Sequence, residues 1–232
     1  KLVETLKRLG REDTTLVVKI NQETGEYLVS GLGELHLEAK VENKLKEMDI
    51  QVEMSKPIVV YRETVFEQSP EIEGKSPNKH NKFTFLIEPL EDGVYKAMLD
   101  GEIPSEGVIK SKKVDLFKKF EKAGMDYDES KNIIQMHSKC VLVDLTKGIQ
   151  YLNEVMEMVR DAFVEVCEDG PLSREPCIKM KVKLLDAALH EDPVHRGPGQ
   201  IMPAVRYGIR QGMLKANATV LEPKQVIRID AP

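Results

Sequence analysis

Of 232 residues, 41% are hydrophobic, enough for one large core or two modest ones. Charged residues make up 31% and the net charge is -5, which excludes a uniformly basic nucleic-acid-binding body and leaves any RNA contact to local patches. No run reaches the roughly 18 apolar residues of a membrane span, and the first residues lack a secretory pattern, so a cytoplasmic protein with no membrane partner is expected.

Leu2, Leu6 and Leu9 recur at helical spacing, and Leu16, Val18 and Ile20 then alternate as a half-buried strand does. Gln22 to Gly25 reads as a polar turn and Tyr27 to Ser30 as the return strand of a hairpin. After Gly31-Leu32-Gly33, the stripe Leu37, Val41, Leu45 marks a second helix, and Ile50, Val52, Met54 alternate as a further strand. The order α-β-β-α-β is that of a ferredoxin-like βαββαβ unit without its first strand, so the chain is expected to begin inside a domain.

Lys56-Pro57 breaks the pattern, and Ile58 to Phe66 opens a new strand. Residues 67–82, polar and punctuated by Pro70, Gly74 and Pro77, are expected to be a surface loop. Phe83 to Ile87 follows as a strand, Tyr95 to Leu99 as a short helix, and Val114, Phe117 and Phe120 as one apolar helical face. Ile133 to Leu145 is expected to form one long strand. Leu152, Val155, Met156, Val159, Phe163 and Val166 give an amphipathic helix ending before Gly170, and Ile178 to Leu185 a strand. Ile201, Val205, Ile209 and Met213 repeat every four residues, with Gly208 and Gly212 placed to let that helix approach a neighbour closely. Val220 marks a short strand; beyond the boundary at Pro223, Gln225 to Ile229 is too short to be a domain. The whole reads as an α+β chain divided at 1–56, 57–221 and 222–232. Cys140, Cys167 and Cys177 lack a short Cys-x-x-Cys spacing, so reduced, buried thiols are expected.

The segment Leu189-His190-Glu191-Asp192-Pro193-Val194-His195-Arg196-Gly197-Pro198-Gly199-Gln200 concentrates the chemistry. Two prolines fix φ and two glycines free it, so the segment reads as a rigid tip that presents side chains outward. From these residues alone two readings stand and a third falls away. His195 with Asp192 or Glu191 makes a hydrolase acid-base pair, though without a nucleophile or metal frame. A plain RNA-binding or scaffold module needs none of that chemistry, since loops collect such residues. A metal site is disfavoured because the second histidine falls one position late for His-Glu-x-x-His and Pro193 interrupts the helix. Gly74-Lys75-Ser76 imitates the end of a phosphate loop, yet Ser69 stands where a Walker A glycine is required. Gly31-Leu32-Gly33 lacks a dinucleotide turn's third glycine, and Glu34 would repel a phosphate. No cofactor is expected to bind.

The run His195-Arg196-Gly197-Pro198-Gly199-Gln200-Ile201-Met202-Pro203 resembles the domain IV tip of archaeal and eukaryotic translation elongation factor 2. Gly31-Leu32-Gly33-Glu34-Leu35-His36-Leu37-Glu38 resembles that family's domain III signature. Ser55-Lys56-Pro57-Ile58-Val59-Val60-Tyr61-Arg62-Glu63-Thr64 resembles its passage from domain III into domain IV. The resemblance implies domain III over 1–56, domain IV over 57–221 and the start of domain V over 222–232. It implies a ribosomal translocation factor whose tip enters the decoding centre and follows tRNA and mRNA. That tip comprises His190, Asp192, Pro193, Val194, His195, Arg196, Gly197, Pro198, Gly199 and Gln200. His195, directly before Arg-Gly, matches the histidine converted to diphthamide, so diphthamide-synthesis enzymes and ADP-ribosylating toxins join the ribosome as implied partners. GTP and magnesium would bind in an N-terminal domain outside this chain, and this fragment is not expected to be an enzyme itself. Pro198 stands where many family members have a third glycine, which implies a stiffer turn. Lys75, Lys79, His80 and Lys82 form a basic loop in a region that faces ribosomal RNA in the family. Arg206 and Arg210, on the helix after the tip, are further candidates for phosphate contact, each with a solvated salt bridge as the alternative.

Overall fold

Leu6 and Leu9 share one face of helix α1 (Leu2–Glu12) and pack with Leu16, Val41 and Leu45 into a small core. In this computed structural model, which describes residues 1–20, 27–56, 59–109 and 114–224, that core belongs to a first unit, Lys1–Val59; a second comprises Val60–Glu222. Strands β1 (Val17–Ile20) and β2 (Tyr27–Ser30) form an antiparallel hairpin. Its expected turn at Gln22–Gly25 lies outside the described residues. The next helix runs through α2 (Glu34–Leu37), a π segment (Glu38–Glu42) and α3 (Asn43–Glu47), burying Val41 and Leu45 as their spacing requires. A Cβ at Gly31 would lie 2.7 Å from His36 Nδ1 and 2.9 Å from Leu37 Cδ2, so the glycine allows a close approach. Hydrogen bonds from the Thr15 hydroxyl, from His36 and from the Thr15 amide hold the Asp13 carboxyl down at about 2.

Ile50, Val52 and Met54 do not form the expected strand. Residues 51–56 run without strand pairing; Ile50 packs on the core while Val52 and Met54 are exposed. Alternation suits a strand only where a neighbour takes its backbone hydrogen bonds.

In the second unit, β3 (Arg62–Val65) begins later than expected, and Ile58 lies outside the described residues. Its Glu63 carboxylate is fully buried and accepts backbone N–H groups from Leu172, Ser173 and Glu175. The expected loop over 67–82 contains an edge strand, β4 (Ile72–Lys75), paired with β5 (Lys82–Pro89). Helix α4 (Asp92–Leu99) and strand β6 (Gly107–Val108) follow, then α5 (Val114–Lys122) and α6 (Tyr127–Lys131). The single long strand expected over 133–145 is a hairpin of β7 (Ile133–His137) and β8 (Cys140–Asp144). Ser138 and Lys139 turn it with φ of 49° and 61°. Such a turn is normally signalled by Asn-Gly, which is why the break was not visible. Helix α7 (Leu152–Glu168) carries the chain to β9 (Met180–Ala188), α8 (Pro198–Lys215) follows the tip, and β10 (Ala218–Leu221) returns antiparallel to β3.

The sheet order is β4-β5-β9-β8-β7-β6, antiparallel except for β8 with β9. Alternation within β8 builds two layers: Cys140 and Leu142 join the core under α7 and α8, while Val141 and Val143 join that under α4, α5 and α6. The α+β class read from the sequence holds. The close approach expected of α8 is present, since a Cβ at Gly208 would lie 2.6 Å from the Phe85 ring and one at Gly212 would lie 2.2 Å from Ile87. The three cysteines are free and buried, and burial pushes the Cys167 and Cys177 thiols up, away from reactive thiolate. Among the described residues no helix is long and apolar enough to cross a membrane.

Candidate functional site

Lys82, the first residue of β5, pairs with Lys75 on one side and Ala188 on the other. The connection Ser76–Asn81 and the segment that follows β9 therefore leave the same end of the sheet. Ser76 and Asn81 close the first loop through two backbone-to-partner bonds: the Ser76 N–H donates to the Asn81 carbonyl at 2.9 Å, and the Asn81 N–H to the Ser76 hydroxyl at 3.0 Å.

In the second loop, Asp192 caps the 3-10 turn Pro193–Arg196 by accepting the Val194 N–H at 2.9 Å, with Pro193 at a helix-start position where no N–H is needed. His190 Nδ1 accepts the Asp192 N–H at 3.0 Å. Both side chains thereby help set the shape of the loop. Pro198 is the first residue of α8, with Gly197 as its N-cap. Val194 stands 81% exposed at the turn.

Arg196 departs from the outward-facing tip expected from sequence: it is only 3% exposed. Its guanidinium donates to the carbonyl oxygens of His190 and Glu191, pairs with the Glu154 carboxylate of α7, and lies 4.2 Å from the Tyr151 ring centroid. A planar five-donor group satisfies carbonyls that a sharp loop would otherwise strand.

Three imidazoles meet above these supports. The ring centroids of His190 and His195 are 4.6 Å apart, and that of His80 lies 4.9 Å from His190 and 5.0 Å from His195. Asn78 and Asn81 of the His80 loop both donate to the His195 carbonyl, at 3.3 and 2.8 Å. The arrangement presents aromatic nitrogen rings on a braced support, suited to stacking and hydrogen bonding with a polar planar partner or to covalent attack on one imidazole.

Four of the other candidate cations are engaged. Lys75 and Lys82 share Glu73, at 2.7 and 3.4 Å. Arg206 pairs with Glu165, and Arg210 with Asp169 at 2.7 Å. Lys79 sits in the turn of its loop with φ of 62° and is exposed. Elsewhere, among the described residues, Glu88, Glu91 and Glu129 approach metal-ligand spacing, but the Lys181 ammonium occupies their midst, 2.8 Å from Glu88 and 2.6 Å from Glu129. Burial alone would lower Lys181; hydrogen bonds to Glu129, Glu88 and Glu91 outweigh it and raise the lysine above its ordinary range.

Residues 101–217 match the family model described as elongation factor G, domain IV, and residues 1–56 match that described as elongation factor G, domain III. The chain belongs to the elongation factor G family. Along its whole length it is 49% identical to elongation factor 2 of Thermococcus sibiricus and 51% identical to that of Thermococcus kodakarensis. It is 48% identical to elongation factor 2 of Methanocaldococcus jannaschii. The chain spans 31–32% of the length of these curated relatives. The family resemblance read from three short motifs is therefore borne out.

What sequence reasoning missed at this site is its support. Asn78, Asn81, Tyr151 and Glu154 were not singled out, and His80 was read only as part of a basic loop. Asn81 lies 114 residues from His195 along the chain, so no local pattern links them. Two asparagines in a loop signal a turn, not a clamp.

Proposed function

We propose that this chain supplies the part of a ribosomal translocation factor whose domain IV tip enters the decoding centre and follows tRNA and mRNA, with His195 as the acceptor of diphthamide. The observation that carries the reading is the convergence of His80, His190 and His195 at one end of the sheet, on loops braced from beneath by Asn81 and Arg196. A probe that must enter a crowded RNA site benefits from a stiff tip, because ordering costs are met on folding and not on contact. Modified His195 would add hydrogen-bonding groups and positive charge beside codon and anticodon, while exposed Val194 and Lys79 are placed for contact with bases and phosphates. Nucleotide chemistry would belong to other parts of such a factor, with GTP and magnesium held there.

Co-expression of the chain with diphthamide-synthesis enzymes, followed by peptide mapping, tests the assignment. Added mass on the peptide containing His195 is expected; modification confined to another histidine would overturn it.

A further inference from the structure

We propose that Asn81 is the positioning residue for His195: its buried carboxamide sets the point from which the imidazole that the proposed modification acts on projects. The proposal rests on the reading of His195 as the modified residue and adds the group that presents it.

Asn81 is fully buried, and its side chain is saturated with bonds. Oδ1 accepts the His190 N–H at 3.1 Å, while Nδ2 donates to the His195 carbonyl at 2.8 Å and to the Ser76 hydroxyl at 3.3 Å. A donor faces Oδ1 and a carbonyl faces Nδ2, so the amide has one orientation that satisfies both. One rigid planar group thus ties both ends of the segment from His190 to His195. The His195 carbonyl and imidazole share a Cα, so fixing the peptide plane fixes the point from which the ring projects.

The surrounding bonds support the same conclusion. Asn78 donates to the His195 carbonyl from a second direction, and its N–H is held by Gln200 Oε1 at 2.9 Å, so the His80 loop is itself anchored on α8. Arg196 holds the carbonyls of His190 and Glu191. The peptide groups on both sides of His190 are therefore restrained, and the tip cannot slide against the sheet without breaking several bonds at once. Removing the amide would leave the His190 N–H without its partner and the His195 carbonyl with only the longer Asn78 bond, and the loop would relax to rehydrate them. A reaction on the ring depends steeply on placement, since displacement of about 1 Å costs on the order of a hundredfold in rate.

The test uses the 232-residue chain with Asn81→Leu, which keeps comparable bulk without donor or acceptor, and Asn78→Ala, which removes the second donor near the surface. Two readouts are taken at equal folded fraction: the His195 Cε1–Hε1 NMR signal, assigned with His195→Ala, and the initial rate of modification by diphthamide-synthesis enzymes. The His195 signal is expected to shift or broaden in both variants while that of His137, in β7, stays fixed. Modification is expected to slow by at least roughly tenfold in Asn81→Leu and less in Asn78→Ala. A His195 signal and a rate equal to wild type in Asn81→Leu would overturn the proposal, and if that variant does not fold, Asn81→Asp, which loses the Nδ2 donor at nearly unchanged size, decides by the same readouts. A wild-type chain that the enzymes leave unmodified would overturn the His195 reading instead, and the imidazole signals would still decide whether Asn81 positions the ring.

Discussion

Arg196 and Glu154, 42 residues apart, form an ion pair that ties the tip to the first turn of α7, with the arginine 3% exposed and the glutamate 57% exposed at the side chain. The asymmetry separates two roles: Glu154 can be rehydrated if its partner is lost, whereas losing the buried guanidinium takes the donor from two carbonyls, those of His190 and Glu191, at once. Arg196→Ala is therefore expected to destabilise the second unit by about 2–4 kcal/mol, chiefly through stranded carbonyls. Glu154→Ala should cost roughly 1 kcal/mol or less. Urea unfolding of both variants checks the order; equal losses would show that the ion pair, not the carbonyl contacts, dominates.

A second expectation concerns pH. Burial alone would raise the Glu88 carboxyl, but hydrogen bonds from Lys181 and Lys183, with their charges, outweigh it and hold Glu88 below its ordinary range. Its contribution is present above the ordinary carboxylate pKa of about 4.3 and is lost as pH falls through the lowered value. Lys181, raised in the fold, contributes fully below about 10.4 and loses its contribution only as pH rises through the raised value. Stability from this network should be flat between those limits. Lys181→Met leaves Glu91 without its cation and Glu88 and Glu129 to share Lys183, and should cost about 3–5 kcal/mol at neutral pH. The gap from wild type should narrow as pH falls and Glu88 takes up its proton. A gap of constant size as pH falls, measured by urea unfolding, would contradict the account.

Gly74 provides a packing test that also bears on the phosphate-loop imitation. A Cβ there would lie 2.2 Å from the Ala204 carbonyl oxygen, a backbone atom that cannot step aside. Gly74→Ala should destabilise by about 1–3 kcal/mol through overpacking. Gly199→Ala, where a Cβ meets nothing within 4 Å, should be neutral or stabilise by up to about 1 kcal/mol. Thermal melts of the two variants distinguish the cases; a neutral Gly74→Ala would remove the close β4–α8 approach from the account.

Periodic elements were legible because burial on one side imposes a period: α1, α7, α8 and β9 fall where leucine, valine and isoleucine spacing places them. The failures came where spacing carries no record of a partner. Ile50, Val52 and Met54 alternate without pairing, and Ser138-Lys139 turns a chain whose flanks read as one continuous apolar strand. At the tip, the histidines, prolines and glycines were visible as a motif, but the inward direction of Arg196 was not. An arginine beside two histidines reads equally as a probe or a brace, and the choice depends on Glu154 and Tyr151, which arrive from α7 and the residue before it.

The most direct measurement of the central claim is labelling of the tip. The chain, co-expressed with diphthamide-synthesis enzymes, is treated with an ADP-ribosylating toxin and labelled NAD, in parallel with His195→Ala and His190→Ala. Label on the wild-type peptide containing His195 is expected, with none in His195→Ala and at most a reduced rate in His190→Ala, whose imidazole shapes the loop without accepting the group. Labelling of His195→Ala to the wild-type extent would contradict the assignment of His195 as the acceptor.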